Sequence, residues 1–319
     1  MFFKEKRNIY IYLTGGLGNQ LFQFTHGKYM QKHYKANLFI DPNLGNPRTN
    51  IHNEPELVSL IGHCPEFSQI KKISFLFKKV TGFRLRNGLS PKRYEKLLPL
   101  RVFIVFISKI IMSIYFKKLV SIIAAYDVGF SQFIKLSSRN TFLIGYFQTY
   151  RYICDDSIRD ELRSLVRRNH KILLDSMNDI ARLERPLVVH VRLKDYKNEP
   201  DFGSLPIEYY EKSIAEAFNC KSFNKIWLFS DEMELAKSRI PKQFLNMIRE
   251  FDDTQWTPSQ SLALMSIGEG HVIANSTFSW WGAMLSTSPD LVIAPDPWFI
   301  EKVEPKDLIP DNWVRIKWA

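Results

Sequence analysis

Short apolar runs alternate with helix-like segments along this chain, and that alternation leaves few folds open. Ile9 to Leu13 is a β-prone run that ends in Thr14-Gly15-Gly16-Leu17-Gly18-Asn19-Gln20, after which Leu21, Phe22, Phe24, Tyr29 and Met30 group on one side of a helical pattern. Strand, glycine turn and helix open an α/β unit. Further strands are expected at Leu38 to Ile40, Thr141 to Phe147, Pro186 to Arg192, Ile226 to Asp231, Val272 to Ala274 and Leu291 to Pro295. Helix-like segments fall at Pro206 to Phe218, Glu234 to Arg239, Ser259 to Ile267 and Trp280 to Leu285. Buried strands separated by helices imply parallel sheets covered on both faces.

A chain of 319 residues is long for one domain and suits two. We place the division in the polar stretch near Asn178 to Glu184, giving domains 1–180 and 181–319, two Rossmann-like units facing across a cleft. Residues from about 54 to 140 read as mostly helical. Within them, Leu98 to Ala125 is apolar but carries Lys109 and then Lys117-Lys118, so it reads as a core helix or a membrane-surface helix rather than a spanning one. The first seven residues are charged and contain no secretory apolar region, and Cys64, Cys154 and Cys220 are too few and too scattered for a disulfide framework or structural zinc. A cytoplasmic protein is expected, with peripheral contact at the inner membrane through the basic stretch Phe75 to Lys118. A net charge of +11 favours anionic partners without choosing among them.

Ligands of open parallel sheets bind beyond the carboxyl ends of the strands. Four expected strands carry polar clusters there: Gly15 to Gln20; His190, Arg192 and Asp195; Ser230, Asp231 and Glu232; and Asn275, Ser276, Thr277 and Ser279. Gly16 and Gly18 let backbone N–H groups approach a phosphate, with the Asn19 and Gln20 amides at the turn's exit. The spacing is neither a dinucleotide fingerprint nor a P-loop, and a structural turn explains it equally. Arg192 offers a planar fork to phosphate oxygens and His190 a further donor; a buried histidine and a structural ion pair are the alternative. Asp195 could orient Arg192 or take a proton from an attacking hydroxyl. Ser276, Thr277 and Ser279 suit an anion at a helix start, or simple capping. Asp231 suits a guanine edge, or capping. No Asp-x-Asp pair occurs, so no metal is expected, and leaving-group charge would fall to Arg192, hydroxyls and N–H groups. Trp280-Trp281 reads as domain-packing surface.

Together these motifs resemble the α-1,2-fucosyltransferases of glycosyltransferase family 11, bacterial members above all. The resemblance is carried by Gly15-Gly16-Leu17-Gly18-Asn19-Gln20-Leu21-Phe22-Gln23, Gly145-Tyr146-Phe147-Gln148, Leu205-Pro206 with Tyr209-Tyr210, Phe229-Ser230-Asp231, and Asn275 to Gly282, in that order. It implies a GT-B fold, a GDP-β-L-fucose donor bound by the C-terminal domain and no metal or other cofactor. It also implies an inverting reaction, at the 2-hydroxyl of a galactose in a glycan such as a lipid-linked O-antigen repeat. His190 and Arg192 would meet the diphosphate, Asp231 the guanine, Ser276 and Thr277 the phosphates, and Asn19 the donor sugar. The family's usual second arginine is here Leu193, followed by Lys194. The competing readings are a transferase with another acceptor, such as a protein side chain, and a non-catalytic nucleotide- or RNA-binding protein. The latter would want clustered basic residues interleaved with exposed aromatics, which Phe75 to Arg101 partly offers, but an RNA-binding motif is missing, so no nucleic-acid partner is expected.

Overall fold

The computed structural model describes residues 6–41, 56–67, 120–124, 130, 139–193, 203–287, 291–301, 304–305 and 307–319. The first sheet contains β1 (Asn8–Tyr12), β2 (Asn37–Asp41), β3 (Val120–Ala124) and β4 (Asn140–Ile144) in the order β2-β1-β4-β3, every pair parallel. The second contains β5 (Pro186–Val191), β6 (Lys225–Ser230), β7 (Ile248–Asp252), β8 (Gly270–Val272), β9 (Leu291–Asp296) and β10 (Val314–Lys317). Its order is β10-β9-β8-β5-β6-β7, again all parallel. From β5 the chain winds outward to β7 on one side, then restarts at β8 and winds outward to β10 on the other. This is the doubly wound order, and its reversal point lies between β5 and β8.

The helices are α1 (Leu17–Tyr34), α2 (Glu56–Ile61), α3 (Asp156–Asn169), α4 (Lys171–Glu184), α5 (Ile207–Cys220), α6 (Met233–Lys237), α7 (Pro258–Met265) and α8 (Thr277–Leu285). The expected division at residue 180 falls inside α4. Residues 120–124 correct the reading of Leu98 to Ala125 as a core or membrane-surface helix: they are a strand. An apolar run bordering a helix-like pattern does not reveal its own period. All of the basic stretch Phe75 to Lys118 lies outside the described residues, as do Lys194 and Asp195. No helix among the described residues is long and apolar enough to cross a membrane.

Strand alternation sorts the second sheet into two cores. Leu187, Val189, Val191, Ile226, Leu228, Val272 and Ala274 face a cluster with Tyr209, Tyr210, Ile214 and Ala217 of α5. Val188, Trp227, Phe229, Phe251 and Ile273 face the other way, into one continuous cluster that also holds Ile9, Ile11, Leu21, Phe22 and Phe24 of the first sheet and α1. The helices between the sheets therefore share a core. Phe22 packs on Trp280 and Trp281 at ring-centroid distances of 4.6 and 4.9 Å, and both tryptophans are fully buried, as domain packing requires. Arg163 of α3 donates to the carbonyls of Met284, Leu285 and Ser286 at the end of α8, a cation placed at the negative end of a helix.

Three histidines are sealed in these layers. His26 of α1 lies between Phe147 at 3.9 Å and Tyr152 at 4.4 Å, and neither ring nitrogen has a hydrogen-bond partner among the described residues. Burial pulls its pKa down to about 3. Burial does the same to His190, with help from the Arg192 charge, and lowers His271 to about 4. The unfolded chain protonates these rings near pH 6.5, and the folded protein does so only several units lower. Their contribution to stability is thus present above pH 6.5 and is lost as pH falls toward the folded values. Each ring adds up to about 1.4 kcal/mol per pH unit in that window. We predict that unfolding followed at pH 7.5, 6 and 5 shows stability falling with a slope approaching roughly 4 kcal/mol per unit. A flat response from 7.5 to 5 would contradict the burial of neutral rings.

Candidate functional site

The turn after β1 is built by Gly15, whose φ of +75° suits glycine. Gly16 caps α1 without a side-chain hydrogen bond. The N–H of Leu17, the helix's first residue, is instead taken by the Glu56 carboxylate at 2.8 Å. A carboxylate therefore already occupies this positive helix end. Two glutamines fix the turn from behind. Gln20 donates to the Gly15 carbonyl at 2.9 Å and accepts from the Leu57 N–H at 3.0 Å. Gln23 accepts from the Thr14 N–H at 2.9 Å and donates to the Thr14 hydroxyl at 2.7 Å and the Gly145 carbonyl at 3.0 Å. That last bond links the end of β1 to the end of its neighbour β4. Asn19 accepts from Gln148 at 2.8 Å, a second link between the same two strand ends.

At the second sheet, β5 delivers His190 and Arg192 on the face that looks toward α8. His190 is buried and neutral, 5.7 Å from the Phe278 ring, and its Nδ1 has no partner among the described residues. Arg192, 30% exposed, forms an ion pair at 3.4 Å with Asp231 at the end of β6, whose side chain is only 7% exposed. The other Asp231 oxygen accepts the Leu193 N–H at 3.0 Å. Leu193 itself turns to the opposite face and is buried in the α5 core. The side chain at this position thus serves packing, which is why a leucine fits. The third contribution is the start of α8. Ser276 is its N-cap, accepting from the Phe278 N–H at 3.3 Å. Asn275, buried, donates to the Gly203 carbonyl at 3.4 Å. The Ser279 hydroxyl is directed at the Ala274 and Ser276 carbonyls, 3.4 and 3.3 Å away, and so braces the loop.

The two halves also meet where α1 and α8 begin. A Cβ on Gly18 would lie 2.6 Å from both the carbonyl carbon and Oγ1 of Thr277. The starts of α1 and α8 therefore touch, backbone to backbone. Of the candidate residues, Gly16 and Asn19 belong to the first helix start and Ser276 and Thr277 to the second, His190 lies against Phe278, and Arg192 pairs with Asp231. Gly18, Gln20, Asn275 and Ser279 form the frame of this junction. Asp195 lies outside the described residues. The sequence reading did not select Gln23, Glu56, Tyr146 or Gln148. Three of these lie within quoted motifs, and for Tyr146 and Gln148 the position just past β4 was the available signal. Among the described residues no three His, Cys, Asp or Glu side chains gather as metal ligands would.

Gly18→Ala should cost about 1–3 kcal/mol of stability, because the added methyl meets backbone rather than a movable side chain. Gly16 has nothing within 4 Å of a built Cβ. Gly16→Ser should change stability by less than about 0.5 kcal/mol, since serine is a good N-cap. Denaturant titration of both variants checks the contrast; equal losses would contradict the geometry.

Residues 84–317 match the profile of glycosyl transferase family 11. The O-antigen biosynthesis glycosyltransferase WbnK of Escherichia coli is 27% identical over 327 residues, covering 97% of this chain and all of that protein. An alpha-1,2-colitosyltransferase of Escherichia coli is 32% identical over 188 residues, 54% of this chain and 62% of that protein. The fold is shared with the fucosyltransferase NodZ from Bradyrhizobium, with a TM-score of 0.50 at 11% identity over 89% of this chain and 94% of that one. The two facing parallel sheets are thus of the GT-B type.

Proposed function

Because the chain belongs to glycosyl transferase family 11, we propose that it moves L-fucose from GDP-β-L-fucose to the 2-hydroxyl of a galactose in a glycan such as an O-antigen repeat, with inversion. The observation that carries this reading is the convergence of His190, Arg192 and the start of α8 at the reversal point between β5 and β8. Doubly wound sheets bind nucleotides at that point. The start of α8 has no acidic residue in its first turn, so its N–H groups and hydroxyls suit phosphate oxygens.

In the proposed reaction the acceptor hydroxyl oxygen bonds to the anomeric carbon as the bond from that carbon to the diphosphate breaks. The hydroxyl proton passes to a base, for which Asp195 is our candidate. The electron pair leaves with GDP, and the growing negative charge is met by Arg192 and the α8 start, with no metal ion required. Asp231 holds the Arg192 fork in place, and a carboxylate has further lone pairs with which to accept from a guanine edge. His190, neutral, can donate one hydrogen bond.

A second donor is favoured by one observation, the colitosyltransferase relative. GDP-colitose, which lacks the 3-hydroxyl of fucose, is therefore the alternative donor, and offering both sugars with one β-galactoside separates the two.

GDP should raise the melting temperature far more than UDP, with or without chelator. Equal protection by UDP, or protection only with added metal, would overturn the reading. Arg192→Lys should fold normally yet lose roughly 10²-fold in turnover, because a point charge cannot replace the planar fork. Near-normal turnover would contradict the role given to Arg192.

A further inference from the structure

We propose that Tyr146 is the platform on which the acceptor sugar ring stacks. The proposal rests on the donor reading above, which assigns the nucleotide to the second sheet and leaves the first sheet's strand ends for the acceptor. Among the described residues Tyr146 is the aromatic side chain that stands out as both large and exposed, at 45%. It follows β4 after Gly145, beside the glycine turn of β1. A Cβ on Gly15 would lie 3.3 Å from Cε1 of Tyr146 and 2.8 Å from Nδ2 of Asn19. The absence of a side chain at Gly15 is what lets the ring and the amide lie together over the turn.

The ring is held outward by its neighbours. Gly145 has a φ of +144°, and Phe147, a bulky residue, has a φ of +54°. Such a backbone is strained for phenylalanine and persists only where the surroundings fix it. Here Phe147 is buried against His26 at 3.9 Å, the Gly145 carbonyl is tied to Gln23, and Gln148 is tied to Asn19. The segment turns Phe147 in and Tyr146 out.

A sugar presents one face of C–H groups and a rim of hydroxyls. An exposed aromatic face takes the first and adjacent amides take the second. In a β-galactoside the axial 4-hydroxyl leaves C3–H, C4–H and C5–H together on one face, which suits a single ring. Asn19, which the resemblance puts by the donor sugar, stands beside Tyr146 and here meets the acceptor's rim instead, and the Gly18 contact with Thr277 brings this ledge up to the donor side.

The test uses the full chain with Tyr146→Ala, Tyr146→Phe and Tyr146→Trp. We expect Tyr146→Ala to raise the acceptor KM by roughly tenfold or more, with a smaller effect on kcat and unchanged thermal protection by GDP. The Phe and Trp variants should stay near wild type. An unchanged acceptor KM in Tyr146→Ala overturns the proposal. So does a fall in GDP protection, which would mean stacking on the nucleotide, or an equal loss in Tyr146→Phe, which would assign the effect to the hydroxyl. Saturation-transfer NMR on methyl β-D-galactopyranoside without nucleotide reads the platform alone. H3, H4 and H5 should be enhanced with wild type and lost with Tyr146→Ala. No sugar binding by wild type overturns the platform, whereas sugar binding without GDP protection overturns only the donor reading.

Discussion

Gly18 carries no side chain where the main chain of Thr277 already fills the space. That contact brings the start of α1 against the start of α8, and with it the carboxyl ends of the two parallel sheets. The neighbouring Phe22 then reaches Trp280 and Trp281, and the Trp280 indole donates to the Leu308 carbonyl at 3.0 Å. The C-terminal segment is tied back to the first half again where the Tyr150 N–H meets the Asp307 carbonyl at 3.0 Å. A single close approach, supported by a buried aromatic cluster, thus sets the distance across which any two substrates would meet.

The two helix starts at this junction differ electrostatically. At α1 the Glu56 carboxylate takes the first N–H, and nearby glutamines hold the turn. At α8 the cap is a serine hydroxyl and no acid lies in the first turn. An anionic diphosphate is therefore favoured at α8 and disfavoured at α1. The Arg192 cation at the end of β5 is paired with Asp231, and His190 stays neutral because burial and the Arg192 charge both oppose its protonation. One side of the cleft suits charge and the other suits a neutral, hydroxyl-bearing ring.

Much of this was legible in the sequence. The central strands β1, β5, β6, β8 and β9 announce themselves as short apolar runs, because parallel strands paired on both sides are buried on both faces. The strands that went unrecognised, β3, β7 and β10, are all sheet edges in the described structure. β7 reads Ile-Arg-Glu-Phe-Asp, and an edge exposed to water tolerates such charges. The start of α8 falls three residues before the expected Trp280, since Ser276 rather than the tryptophan pair begins it. In the structure Arg192 pairs with Asp231, and His190 lies against Phe278, two residues past Ser276. What composition could not show was which polar residues face the cleft. Gln20 and Gln23 are as polar as Asn19, yet their amides are consumed by backbone groups of the turn. Leu193 looked like a missing charge, and strand alternation shows instead a side chain directed into the α5 core.

The central claim is that the donor diphosphate sits at the reversal point of the second sheet, against the start of α8. A crystal structure of the protein with GDP tests it most directly. The account predicts phosphate oxygens within hydrogen-bond distance of Arg192 and of the Ser276–Thr277 segment, with Gly18 still against Thr277. Phosphates seated at the start of α1, where Glu56 stands, or in the separate cavity of about 320 Å³ lined by Arg163, Arg167 and Asn178, would contradict it.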